Sequence, residues 1–433
     1  KEYQDGKPVM DSLYFISDRP VLEHAFNRVG EFWLRLRVSN EFGSTFYYMT
    51  VEIRAGMERG MLVLSSDEAG KGRLSFCSVV EEANELLEAK QEDFDVDVWT
   101  RTNPDYELLD AQDMCMMNFE DKYWNGARCI YSIFVISKSQ QCLYELDKGT
   151  LLVLRKIDLR PTMSFDIRPV ALVPLKQDLA IMSEDGQVVF SQLGSNGLIN
   201  EGWGTEMKGV KLYQANVMNN FDKIIVSYPL MADNEHEKMV CYTNMGMGST
   251  IDSESDFQGF RIVNFTMIGS YVNLNTRLLV VSQPKADAGK VRVTNYNTVT
   301  ADNGRAQFFK KDKDYRMQDY DLSSPLALRS ESDMLYNGGY NVIFYNNGNT
   351  IYRWRYTGGF SDAGNSQVSI PAGEITCMAQ SPDHEYLYVG AYDAGAAGLK
   401  GNVYIYKTEN LELVKSFIGV ADKPLKLFYK DVK

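Results

Sequence analysis

A pair of short strands recurs seven times along this chain, and that recurrence limits the fold more than any other property. The clearest copy lies in Glu374–Phe417, EITCMAQSPDHEYLYVGAYDAGAAGLKGNVYIYKTENLELVKSF. It reads as four strands in series, of which YLYVGA and NVYIYK alternate apolar and polar positions across a Gly/Asp-rich turn. Earlier copies of the first member begin at Met61 (MLVLSS), Ser132 (SIFVIS), Asp178 (DLAIMS), Lys223 (KIIVSY), Arg277 (RLLVVS) and Asn341 (NVIFYN). Each is followed after a turn by a partner: GRLSF, QCLYEL, GQVVFSQ, KMVCYT, KVRVTNY and TIYRWRY. The starts lie about 45 to 70 residues apart, and the shorter spacings match one blade of a β-propeller. The reading is all-β: a seven-bladed propeller over residues 60–433, with the longer spacings as blades that carry inserted loops.

Several pairs are preceded by an apolar stretch suited to an innermost strand: ALVP at Ala171, LYQANVM at Leu212, FRIVNFTMI at Phe260, PLALR at Pro325 and ITCMAQ at Ile375. The first pair has none. A spare strand, PLKLFYK (Pro424–Lys430), follows the seventh pair instead. It is predicted to close the ring as the inner strand of blade 1, which removes the two free edges an open array would leave. Between the first and second pairs, EEANELLEAKQ suits a short helix, and DFDVDVW alternates Asp93, Asp95 and Asp97 with Phe94, Val96 and Val98.

Ahead of the repeats stands GEFWLRLRVSNEFGSTFYYMTVEI, Gly30 to Ile53. Its apolar positions alternate on both sides of an Asn40–Gly43 turn, which predicts a hairpin with one buried face. The spacing of Gly30, Phe32, Leu34, Leu36, Val38, Ser39, Asn40 and Gly43 resembles the last strands of PKD-type immunoglobulin-like domains. Residues 1–56 are therefore expected to be a partial PKD/Ig-like β-sandwich domain, since a whole one needs about 80–100 residues.

Composition narrows the function classes. With 58 acidic against 45 basic residues the net charge is −13, and no Lys/Arg run stands out. Nucleic acid and anionic membrane surfaces both need concentrated positive charge and are disfavoured. No apolar run is long enough to span a bilayer. The opening KEYQDGK fits either a cytosolic chain or an exported one whose signal segment has been removed. The six cysteines lie far apart without a C-x-x-C pair, mostly inside apolar alternations, as buried thiols do; spacing leaves a Cys129–Cys142 disulfide open.

Chemistry is sparse. His24, His236 and His384 are scattered, H-E-x-x-H is absent, and NEHEK has the wrong spacing for two ligands on one helical face. G-x-S-x-G is absent, and NMGMGST lacks the lysine and helix of a phosphate loop. Asp93, Asp95 and Asp97 are weak Ca²⁺ candidates, because alternate strand residues form a solvated acidic face that no turn gathers around an ion. No catalytic residue and no other cofactor is assigned. SPDHEYLYVG is a turn-and-strand signature with His384 where Gly is usual. Aromatic side chains are the remaining signal. Tyr352, Trp354 and Tyr356 share one strand face and are expected to pack between blades. Tyr123, Trp124 and Trp203, in polar loops, are the ligand-binding candidates, since rings there stack on sugars or anchor peptides.

The PKD-like hairpin running into GMLVLSSDEAGKGRLSFCSVV and a propeller resembles, as a whole, the PKD-like lipoproteins of gut bacteria. These accompany outer-membrane nutrient-uptake systems built from a TonB-dependent transporter and its lid lipoprotein. The resemblance implies an exported, lipid-anchored, non-catalytic accessory protein of the outer membrane or cell surface. Its partners would be the transporter complex and a glycan or peptide ligand, and it would meet the membrane only through an N-terminal lipid absent from this chain. The alternatives are a propeller enzyme, a glycan hydrolase or lyase with carboxylates over the central channel, and an intracellular scaffold.

Overall fold

Strands that are apolar on both faces must be covered on both, and sheets stacked face to face around a ring achieve that. The computed structural model describes residues 3–4, 7–8, 15–22, 30–53, 56–80, 82–120, 129–160, 166–175, 178–192, 198–200, 211–218, 225–242, 250–269, 276–300, 306–356 and 366–431. The chain divides into two compact units, Lys1–Ala55 and Gly56–Lys433.

The first unit holds the expected hairpin. Gly30–Asn40 pairs antiparallel with Gly43–Ile53, and Asn40 stands opposite Gly43. Asn40 Oδ1 accepts the Phe42 N–H at 2.9 Å, and Gly43 supplies the positive φ of +145° that the turn requires. One face aligns Phe32, Leu34 and Leu36 with Val51, Met49 and Tyr47. The other aligns Arg35 and Arg37 with Tyr48 and Phe46.

The second unit is a seven-bladed β-propeller. Blades 2 to 7, four-stranded except for blade 5, have the inner strands Ala111–Glu120, Pro169–Pro174, Lys211–Met218, Phe260–Ile268, Met334–Asn337 and Glu374–Gln380. Blade 5 has a fifth strand, because Ala306–Lys310 and Arg316–Asp321 share the long third strand Lys290–Thr300. Blade 1 takes its inner strand from the C-terminal end: Lys423–Lys430 pairs with Gly60–Ser66, with Leu427 opposite Val63 and Lys430 opposite Gly60. Seven apolar clusters fill the seven gaps between neighbouring sheets, the last joining blade 7 to blade 1. In the second strand of blade 1, Met61 and Val63 face blade 7 while Leu62 and Leu64 face blade 2. Both faces are covered, which is why these strands read as unbroken apolar runs. Five inner strands carry a β-bulge near their start, at 111/113, 169/171, 262/264, 375/377 and 424/426. Each bulge adds local twist to the strand that lines the channel.

Three expectations need correction. PLALR is not an inner strand: Leu326 and Leu328 are buried between blades 5 and 6, but the ladder of blade 6 starts at Met334. EEANELLEAKQ does form a short helix, of 3₁₀ type, at Ala83–Leu87, and a 3₁₀ turn follows at Gln91–Asp93. DFDVDVW is a strand only at Phe94–Asp95, the outer edge of blade 1. The chain then turns into a helix, Val98–Thr102, that buries Val98 and Trp99, and Trp99 Nε1 donates to the Tyr106 carbonyl at 2.7 Å. The Cys129–Cys142 disulfide is also absent, since Cys142 is a free buried thiol. Cys142 stands opposite Ser137, eight residues from Cys129 along the partner strand, or about 26 Å at strand rise.

Candidate functional site

Polar side chains of the inner strands meet at the centre of the ring. Lys426 Nζ lies 3.5 Å from Asp113 Oδ1. Asp113 Oδ2 accepts the Leu172 N–H at 3.0 Å, which ties blade 2 to blade 3. Asp333 Oδ2 accepts the Met378 N–H at 2.5 Å, which ties blade 6 to blade 7. Lys211 Nζ donates to Asn264 Oδ1 at 2.6 Å, while Asn264 Nδ2 donates to the carbonyls of Arg329 and Ser332 at 2.9 and 2.8 Å. The charge of Asp113 raises the Lys426 pKa, and burial holds Lys211 down to about 8. Burial raises Asp333. This network fastens neighbouring blades, because its carboxylates hold main-chain donors that would otherwise be buried unpaired.

A different arrangement occupies the rim of blade 6, on the loop 338–341 between its first two strands. Asn337 anchors that loop to blade 7, donating through Nδ2 to Gln380 Oε1 at 3.0 Å and to the His384 carbonyl at 2.8 Å. Asn341 adopts φ +56°, and its Oδ1 accepts the hydroxyls of Tyr336 and Tyr356 at 3.0 and 3.3 Å. The two tyrosine rings meet edge to face at 5.8 Å. Burial, then Tyr336, pushes Tyr356 up to about 12, and the nearby Arg277 cation partly opposes this. Tyr340 is 41% exposed, and the Arg353 guanidinium lies 5.7 Å from its ring centre. Among the described residues, Arg277 Nε and Arg353 Nε are buried with no hydrogen-bond partner. Burial, and then the like charge of Arg355, lowers the Arg353 pKa.

The sequence candidates fare unevenly. Tyr123, Trp124 and Trp203 lie outside the described residues, as do His24 and the NMGMGST loop at 244–249. Asp93, Asp95 and Asp97 are not brought together: Asp93 accepts the Lys90 N–H, Asp95 pairs with Arg101, and Asp97 lies 3.7 Å from Arg73. Among the described residues no group of three His, Cys, Asp or Glu side chains is placed to hold a metal. His236 Nδ1 lies 2.7 Å from the Asp233 carboxylate, inside a turn. The five described thiols are buried, and burial raises those of Cys77, Cys115, Cys142, Cys241 and Cys377 away from the reactive range. Trp354 packs in the cluster between blades 5 and 6 with Tyr352 and Tyr356 at its margin, as their alternation predicts. The rim residues Tyr336, Tyr340, Asn341 and Arg353 were not singled out for a site. Their signal is YNGGYN, a tight Gly-Gly turn flanked by tyrosines.

No family model and no curated protein matches this chain. Among solved structures, a hypothetical selenium-binding protein from Sulfolobus tokodaii superposes with a TM-score of 0.50 at 9% identity, over 86% of this chain and 93% of that one. Sqt1 of Saccharomyces cerevisiae gives 0.45 at 10% identity, over 85% and 84%. A functionally unknown protein from Desulfotomaculum acetoxidans gives 0.44 at 9%, over 86% and 99%. The first of these likenesses concerns the propeller fold, and at such identities it carries nothing about activity.

Proposed function

We propose that this protein is a non-catalytic accessory binding protein that uses the rim of its propeller to hold a ligand. The observation that carries the reading is the Arg353 guanidinium on the rim of blade 6, whose Nε–H is buried without an acceptor and which lies 5.7 Å from the ring centre of the exposed Tyr340. A buried donor left unmade costs about 1–3 kcal/mol, so an acceptor-bearing ligand has something to gain there. The channel carboxylates Asp113 and Asp333, which a propeller hydrolase or lyase would need free, are engaged by main-chain N–H groups of the next blade.

In this reading the Gly30–Ile53 hairpin is the closing strand pair of a PKD/Ig-like domain. Its apolar face supports that assignment: Leu36 and Tyr47 are 52% and 64% exposed, and a two-stranded sheet is marginal without a second layer. The protein would be exported and lipid-anchored at the outer membrane. There it would present glycan or peptide nutrients to a transporter complex. A glycan and peptide array probed with the intact protein tests this. A retained ligand of either class supports the reading, and an array on which nothing binds above background removes it.

A further inference from the structure

We infer that one mouth of the central channel is a binding site for an oxyanion, a carboxylate or phosphate group that takes hydrogen bonds from the Lys426 and Lys211 ammonium groups. This site is separate from the rim of blade 6 and stands independently of the reading given for that rim.

Convergence is the first argument. Lys426, Asp113, Lys211 and Asn264 lie in the inner strands of blades 1, 2, 4 and 5, and Asp333 directly precedes that of blade 6. Lys426 Nζ lies 3.5 Å from Asp113, and Lys211 Nζ reaches both Asn264 Oδ1 and the Ser332 carbonyl, the latter at 3.3 Å and next in sequence to Asp333. Lys426 and Lys211 feel each other's charge, and both act on Asp333, so the groups surround one space. That space is accessible: the Lys426 side chain is 44% exposed although its strand is the innermost of its blade, and Lys211 is half-buried.

The second argument is an imbalance between donors and acceptors. The acceptors are engaged: Asp113 takes the Met114 and Leu172 N–H groups, Asp333 takes that of Met378, and Asn264 Oδ1 takes Lys211 and the Phe265 N–H. The donors are not. An ammonium group has three N–H bonds. Lys426 has Asp113 as its one polar partner among the described residues, and Lys211 has two partners. A lumen that offers N–H groups and few free acceptors suits an anion, whose charge strengthens each bond. The third argument is the surrounding field. Lys423 and Arg261 stand exposed at the starts of their inner strands, and Arg168, paired with Glu184, precedes another; Glu374 opposes them. On a chain of net charge −13, such a ring of cations draws anions to this mouth.

The experiment is calorimetric titration of the intact protein with malonate, inorganic phosphate and the neutral isostere malonamide at fixed ionic strength. Malonate or phosphate is expected to bind at least about tenfold more tightly than malonamide, and the tighter of the two anions identifies the group. Lys426→Gln and Lys211→Gln should each weaken that anion at least about tenfold. Lys90→Gln, exposed ahead of the Gln91–Asp93 turn, should change nothing. Limiting acetic anhydride on the unaltered protein, read by peptide mass, gives a second measurement that needs no variant to fold. The bound anion should protect Lys426 and Lys211 relative to Lys90. Failure of both anions to bind more tightly than malonamide overturns the inference. So does anion binding that Lys426→Gln leaves intact, or that leaves Lys426 and Lys211 as reactive as before.

Discussion

Closure of the ring by its C-terminal strand predicts that one strand governs the cooperativity of the whole propeller. Leu427, 1% exposed, packs with Met61 and Val63 of blade 1 and with Cys377, Tyr388 and Val403 of blade 7. The fit is tight: a Cβ at Gly390 would stand 2.9 Å from Leu427 Cδ2 and 3.0 Å from Pro424 Cβ. On the opposite side Leu425 and Phe428 pack against the cluster shared with blade 2. Leu427→Ala should therefore cost about 2–5 kcal/mol through lost burial and an unrelaxed cavity. That is a large part of the ~5–15 kcal/mol typical of a domain. Leu152→Ala, at a site 46% exposed, should stay within about 0.5 kcal/mol. Urea unfolding followed by circular dichroism measures both. Hydrogen exchange should accelerate together in Gly60–Ser66 and Tyr386–Tyr392, the strands on the two sides of the closure. Ending the chain at Val420 should expose the Gly60–Ser66 edge and broaden the transition, and a peptide of residues 421–433 added in trans should sharpen it. A shortened chain with the midpoint and slope of the full one refutes the reasoning. So does a Leu427→Ala cost below about 1 kcal/mol.

Lys430 sits fully buried at the same closure, donating to the carbonyls of Met57 and Glu58, and burial holds its pKa down to about 7 against an ordinary 10.5. Between those values the unfolded chain binds the extra proton, so stability should rise from pH 7 toward pH 10 by at most about 1.4 kcal/mol per unit and level off below pH 7, where both states hold the proton. Lys430→Met should flatten that slope in urea titrations; an unchanged slope removes the explanation. His384 holds φ +63° in the SPDHE turn, so His384→Gly should raise stability by about 1 kcal/mol in thermal unfolding, and a loss would contradict the strain argument. Cys142 should be alkylated in denaturant without reductant, as read by peptide mass; protection there would restore the Cys129–Cys142 bridge.

Burial on both faces made the second and third strands legible as apolar runs. The inner strands were harder to read, because one side faces the polar channel. AQDMCMMNFE carries Gln112 and Asp113 at its bulge and was passed over, yet it is the inner strand of blade 2. PLALR misled for the opposite reason: Leu326 and Leu328 alternate inward, but apolar alternation reports burial and cannot report whether a ladder forms. The Asp93–Asp97 alternation failed where the chain leaves a two-residue edge strand and turns into a helix.

The rim site was hidden by the same two-faced geometry. In TIYRWRY the alternation of Tyr352, Trp354 and Tyr356 reports packing, as found, and says nothing of Arg353 between them. The third strand of blade 6 packs on both faces, with Ile351 and Trp354 fully buried on opposite sides. Arg353 shares its face with Ile351, which packs toward blade 7. A charge at such a position must be closed by a partner, and Glu145 shows how: at 7% exposure on the third strand of blade 2, it accepts Ser132 Oγ at 2.8 Å and Arg155 Nε at 2.5 Å. Arg353 occupies the corresponding strand of blade 6 and its Nε has no such closure. In a fold where both faces of a strand are covered, an interior charge is therefore more informative than an exposed tryptophan. Its counter-charge either lies in the neighbouring blade or arrives with the ligand.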